Sequence, residues 1–183
     1  MHALLYVLIL FVSCTDNTQP RPISLGQGKV YRPDNIIRPG PTGVRLSQGE
    51  DKPTGKRVKT EITIQTLDDL RYIYRDFLDA LSYVESNHND KAVGDNGNAL
   101  GRYQIWKTYW KDAIEFAPVI GGTYKDVHCK VYAERIVIAY LIRYKAKHNW
   151  ELKNMARVHN GGPNGNNIKA TEKYWDKVRK ALG

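Results

Sequence analysis

The chain has very little cysteine: two residues, Cys14 and Cys129, among 183. Cys14 lies in or beside a leader, so the folded domain should hold one thiol with no partner inside it. That excludes an internal disulfide framework and leaves packing to hold the fold. No Cys/His cluster has zinc-ligand spacing, and no structural metal is expected. Long apolar runs are missing too. Ala3–Val12 is apolar but is about half of the ~20 residues that cross a bilayer. There is no Gly-rich phosphate loop, dinucleotide fingerprint or Ser-His-Asp elbow, so no cofactor is expected. No stripe of interleaved basic and aromatic residues stands out, so nucleic acid is not an expected partner. Internal repeats are absent.

What is present begins with charge. Twenty-eight Lys and Arg face nineteen Asp and Glu, for a formal +9. Such a balance favours an acidic partner or serves solubility alone. Residues 1–14 read as a signal-peptide or lipoprotein leader: an apolar core, then Ser13-Cys14 and a polar stretch. The n-region carries no Lys or Arg. Phe11-Val12-Ser13-Cys14 is similar to a lipobox, with Phe where Leu is usual. The protein is therefore expected to be secreted or extracytoplasmic, with lipid anchoring through Cys14 as an alternative. Residues 15–60 hold Pro20, Pro22, Pro33, Pro39, Pro41 and Pro53 with scattered apolar residues, which predicts a disordered basic spacer.

From 61 to 183 the texture is that of one folded domain. Leu67, Leu70, Ile73, Tyr74, Phe77, Leu78, Leu81 and Val84 recur at helical spacing. They predict one helix over about 67–86, capped by Thr66 with Asp69 as capping-box partner. Asn87–Gly101 is rich in Asn, Asp and Gly and predicts a loop or short hairpin turning at Asp95-Asn96-Gly97. A compact helix or pair of turns should follow over 102–116. A central buried helix is expected over 126–148, another over 150–159, and a last amphipathic one over 171–182. The fold expected is mostly α, with a small loop or β-hairpin lobe.

One window carries chemistry. Glu85 ends the first apolar helix, and Asp95 sits in the polar turn that follows. Burial against apolar groups disfavours a charged carboxylate, and a Glu so held can stay protonated and donate. A carboxylate in an Asn/Gly-rich turn stays ionised. Two carboxyls in opposed environments suit hydrolysis of a glycosidic bond. From spacing alone, Glu85 can equally be a solvated helix end and Asp95 an ordinary turn residue.

The strings Glu85-Ser86, Gly94-Asp95-Asn96-Gly97 and Gly101-Arg102-Tyr103-Gln104-Ile105 resemble the Glu-Ser, Gly-x-x-Gln-Ile arrangement of the lysozyme superfamily. Tyr109-Trp110, Ala139–Tyr144, Met155–Gly165 (MARVHNGGPNG) and Ala170-Thr171…Tyr174-Trp175…Lys177-Val178 resemble invertebrate-type lysozymes, the destabilase family. The likeness runs in order over about residues 70–182. It implies an α+β lysozyme-like fold, a helical domain with a small lobe beside a cleft. It also implies a monomeric, bacteriolytic muramidase acting on bacterial peptidoglycan. Glu85 matches the catalytic acid and Asp95 the second carboxylate, with Asp90 as the other candidate. Tyr103, Gln104 and Ile105 match a cleft wall; His159, Asn160 and Gly161 match a loop facing the cleft, with His159 a substrate contact or a structural histidine. A serine implied for isopeptide cleavage near Gln104 is absent from Asn96–Leu100, so that activity is not expected. A lytic transglycosylase using Glu85 alone, and a non-catalytic wall-binding module, are the alternatives.

Overall fold

The structure, a computed structural model, describes residues 62–183. The expected leader over 1–14, its Cys14, and the spacer over 15–60 lie outside the described residues.

Helix α1 spans Ile64–Ile73 and α2 spans Arg75–Ser86. The single helix expected over 67–86 is thus two. Its cap is Thr63, whose hydroxyl accepts from the Thr66 backbone N–H at 3.1 Å. Asp69 instead accepts from the Gln65 amide at 2.8 Å. The break falls at Tyr74, whose ring stacks on Trp150 at 5.5 Å. The physical reason is that the two halves serve different partners. Leu67 of α1 packs against α4, while Phe77, Leu78 and Leu81 of α2 turn toward α7. One straight rod cannot present its apolar stripe to both.

Helix α2 ends where Asn87 adopts a left-handed backbone (φ 53°, ψ 46°). The N–H groups of Asn87 and His88 return to Tyr83 and Ser82 carbonyls, a Schellman-like close that fixes the last turn containing Glu85. Three two-residue strands follow: β1 Val93–Gly94, β2 Ala99–Leu100 and β3 Ile105–Trp106. They form an antiparallel sheet in the order β1-β2-β3, with Val93 opposite Leu100 and Leu100 opposite Ile105. The small lobe foreseen from the Asn/Gly-rich stretch is therefore present. Gly101 closes it at φ +73°, where an added Cβ would lie 2.4 Å from the Val127 carbonyl oxygen.

The remaining helices are α3 Lys107–Phe116, α4 Lys130–Arg143, α5 Lys145–His148, α6 Leu152–Gly161 and α7 Ala170–Leu182. The helix expected over 126–148 is preceded by a 3-10 turn at Tyr124–His128 and interrupted at Tyr144. Its middle is the centre of the core: Ile136, Val137, Ile138, Ala139 and Leu141 are fully buried. Around α4 pack α1, α3 and α6, while α7 closes α2 and α6. A polar bridge ties α1 to α4. Arg71 binds Glu134 and Asp68, and Arg135 binds Asp68 at 2.7 Å. Cys129, expected as a lone thiol, is disulfide-bonded, which corrects that expectation. No described helix is long and apolar enough to cross a membrane.

Candidate active site

Glu85 lies in the last turn of α2, with its side chain 16% exposed. Its ionisable neighbour comes from a distant part of the chain. His159 Nε2, on α6, stands 3.6 Å from Glu85 Oε1. The His159 side chain is only 3% exposed. Its other ring nitrogen, Nδ1, is 3.1 Å from the Tyr109 hydroxyl of α3. Tyr109 stacks in turn on Tyr140 of α4. Four helices thus converge on one carboxyl: α2 supplies it, α6 the imidazole, α3 the phenol behind the imidazole, and α4 the ring behind that.

A fifth element is α7. Tyr174 is buried, and its hydroxyl meets no hydrogen-bond partner of full geometry among the described residues. It still lies within electrostatic reach of Glu85. Burial first, and then the Glu85 charge, push the Tyr174 hydroxyl well above its ordinary range. Burial, Tyr140 and then Glu85 do the same to Tyr109. Both phenols therefore stay protonated, Tyr109 behind the imidazole and Tyr174 within electrostatic reach of the carboxyl. Both tyrosines stand in the strings that carry the resemblance, but the sequence assigns neither a role at the site. Each sits at an apolar helical position that any core residue could fill, and only the packing turns its hydroxyl inward.

The lobe residues take different places. Asp95 is exposed on the turn between β1 and β2, with its backbone at φ 46°. Its carbonyl receives the Asn98 backbone N–H and side-chain amide, which holds the turn closed. Asp90 is engaged elsewhere: Arg102 Nε donates to its Oδ1 at 2.6 Å and Nη2 approaches Oδ2 at 3.3 Å. The structure does not give Asp90 a free carboxylate. Gln104, half-buried at φ 46°, donates from Nε2 to the Gly101 carbonyl at 2.9 Å. Its Oε1 fills the space a side chain at Gly94 would need. Tyr103 and Ile105 are each 1% exposed and belong to the core. The Tyr103 hydroxyl donates to Glu134 Oε1 at 3.2 Å, joining the lobe to the α1–α4 bridge.

The loop after His159 is built by a second network. Arg157 Nε donates to Thr171 Oγ1 at 2.9 Å, and Thr171 Oγ1 donates to the Gly165 and Ile168 carbonyls. Gly165 has no room for a Cβ, which would fall 1.9 Å from the Arg157 carbonyl oxygen. The Arg-x-His-Asn-Gly-Gly-Pro-Asn-Gly string and the later Ala-Thr are therefore one device. It fixes the end of α6 and leaves Asn160 exposed and Gly161 half-buried next to His159. A Ser82–His88–Asp79 cluster at the end of α2 has a different character. Ser82 is fully buried, and both it and Asp79 address the same ring nitrogen of His88, so no relay to a nucleophile exists.

A helical body with a small three-stranded lobe, and a half-buried Glu where they meet, defines the lysozyme-like class. The inhibitor-bound lysozyme of Meretrix lusoria superposes with a TM-score of 0.50 at 28% identity, over 58% of this chain and 88% of that one. The sequence pattern of the Destabilase family matches residues 75–181, and the chain belongs to that family. It is 37% identical to a lysozyme of Ostrea edulis over 83 residues, 44% of this chain and 58% of the relative. It is 33% identical to an invertebrate-type lysozyme of Ruditapes philippinarum over 87 residues, 46% of this chain and 62% of the relative. The chain thus spans about three-fifths of the length of these relatives.

Proposed function

We propose that the protein is a lysozyme, a glycoside hydrolase that cuts the β-1,4 bond between N-acetylmuramic acid and N-acetylglucosamine in bacterial peptidoglycan. The observation that carries this reading is the Glu85 carboxyl at the end of α2, 16% exposed and backed by His159. One side meets a wall of buried aromatic groups; the remaining exposed edge is where a glycosidic oxygen would approach.

In this mechanism Glu85 donates its proton to the leaving oxygen as the bond to the anomeric carbon breaks. Positive charge builds on the sugar ring. Asp95, on the exposed polar turn, attacks the anomeric carbon or stabilises that charge. Asp90 is less suited, because Arg102 occupies both of its oxygens. A covalent intermediate requires the two carboxyls to approach to about 5–5.5 Å around the bound sugar. Water then attacks, and Glu85 recovers a proton as it acts as base. His159 is a positioning residue. When Tyr109 donates to Nδ1, the imidazole carries its proton on Nε2 and presents it to Glu85, fixing the carboxyl's rotamer. Asn160, Gly161 and Gln104 supply polar groups for the sugar amides and hydroxyls. Tyr103 and Ile105, buried beneath, shape the floor without touching substrate. Acting on a wall outside the membrane, the protein would work in a secreted or extracytoplasmic setting, as a monomer and without a cofactor. The net charge of +9 favours approach to an anionic wall.

Digestion of purified peptidoglycan followed by mass spectrometry tests the reading. Soluble fragments with reducing N-acetylmuramic acid ends are expected. Fragments one water lighter would assign a transglycosylase using Glu85 alone, and wall binding without release would leave a non-catalytic module.

A further inference from the structure

Helix α7 carries a feature that the chemistry above does not use. Lys169, at its N-cap, and Lys173, Lys177 and Lys180 recur at intervals of four, four and three residues. At 100° per residue they fall within one arc of about 80°, on a flank away from the buried Thr171, Tyr174 and Val178. All four are exposed. None forms an ion pair with a described carboxylate: Glu172 turns to Arg157 and Asp176 to Arg179. The stripe is about 16 Å long at 1.5 Å per residue. At its C-terminal end, Lys177 and Lys180 meet Tyr83 and Val84 of α2 and its capping Asn87 around an open hollow of about 440 Å³. Tyr83 is 54% exposed there. Asp79, one turn earlier on α2, is drawn to His88 at 3.7 Å, so the hollow's lining holds no carboxylate.

We propose that this hollow and the lysine stripe leading to it bind an acidic peptide: the carboxylate-bearing stems attached to the glycan at the candidate active site. The proposal rests on the lysozyme reading. Two ammonium groups one turn apart suit two carboxylates on a short chain. The exposed tyrosine face takes an aliphatic side chain or a peptide plane, and the Asn87 amide offers both a donor and an acceptor to the peptide backbone. Lysines repeated along the helix suit a polymer with repeated charges better than one compact ion. Each exposed pair is weak alone, so recognition comes from several acting together. Location allows the same occupant. Tyr83 and Asn87 stand on the other side of the end of α2 from Glu85. A stem held here would reach round the helix end from the sugars at the acid, a span of about 10–12 Å that lies within an extended pentapeptide.

The test uses the full chain and a synthetic pentapeptide stem, acetyl-Ala-γ-D-Glu-Lys(acetyl)-D-Ala-D-Ala, with its carboxylates free or amidated. Titration followed by ¹⁵N NMR should move the Tyr83, Asn87, Lys177 and Lys180 signals with the free-acid peptide and not with the amidated one. Lys177→Gln/Lys180→Gln should weaken that binding about five-fold, as expected for two exposed ion pairs. Raised salt should weaken it further. The same double variant should raise KM on peptide-bearing peptidoglycan about five-fold and leave cleavage of a peptide-free N-acetylglucosamine oligomer unchanged. Equal binding of both peptides, or an unaffected double variant, overturns the proposal. So does binding of phosphatidylglycerol vesicles through the same lysines with no peptide response, which would assign the stripe to a membrane surface. Peptide binding with neither glycan cleaved keeps the site and rejects the lysozyme reading.

Discussion

Glu85→Gln removes a transferable proton and a charge while keeping the size of the side chain. The surroundings change little, because the amide atoms occupy the positions of the two oxygens beside His159 and Tyr174. The contact to His159 is 3.6 Å, longer than a strong hydrogen bond, so its loss should cost less than about 1 kcal/mol. For a domain of this size that is a melting shift of a few degrees. Catalysis responds differently. A positioned general acid contributes about 10²–10⁴ in rate, or roughly 3–5 kcal/mol at 1.36 kcal/mol per decade. The leaving oxygen has no second donor of comparable acidity at this site, since the Tyr109 and Tyr174 hydroxyls are pushed up and hold their protons. The upper half of that range is therefore expected. Loss of turbidity in bacterial wall suspensions and release of reducing ends, with wild type and variant at equal concentration, measure it. A Gln variant that melts like wild type and keeps more than a tenth of its lytic rate would refute the assignment of the acid.

His159→Gln keeps an N–H toward Glu85 but loses the Tyr109 bond. It should lower kcat about ten-fold with KM within two-fold, and add little in the Glu85→Gln background, as a residue acting through Glu85 must. Gly165→Ala forces a methyl against the Arg157 carbonyl and should destabilise the domain by at least about 2 kcal/mol, read by chemical denaturation. His148 is fully buried, its Nε2 donating to the Leu141 carbonyl and its Nδ1 accepting from the Trp150 N–H, which is the neutral form. Burial holds it below its ordinary 6.5. The unfolded chain takes up a proton near 6.5 that the folded chain refuses, so stability should fall as pH drops below that value, and His148→Gln should flatten the slope. Burial raises the Asp68 carboxyl, but hydrogen bonds from Arg135 and Arg71 outweigh it and hold it below 3.8. Its contribution is present above 3.8 and disappears as pH falls through the lower folded value. Asp68→Asn should therefore cost on the order of 1 kcal/mol at neutral pH and less in acid, measured as a melting difference.

The chain's order alone determined the helical class, the small lobe and the place of Glu85. Those follow from local rules: apolar residues at helical spacing need a shared core, and Asp95-Asn96-Gly97 can only turn. The kinship carried by Glu85-Ser86, Gly101–Ile105 and the His159–Gly165 loop was equally plain in the string. What the string did not hold was direction in space. The break at Tyr74 arises because α1 and α2 pack on different helices, a competition that no local pattern expresses. Tyr103 and Ile105, matched to a cleft wall by the resemblance, are buried in the fold, because the turn after β2 and the start of β3 direct both side chains inward. Asp90 and Asp95 are alike as letters; only the position of Arg102 separates a bridged carboxylate from an exposed one. The meeting of Glu85 with His159, Tyr109 and Tyr174 belongs wholly to tertiary structure. Four helices must pack before those side chains touch, and contact between distant segments is set by the shape of the core.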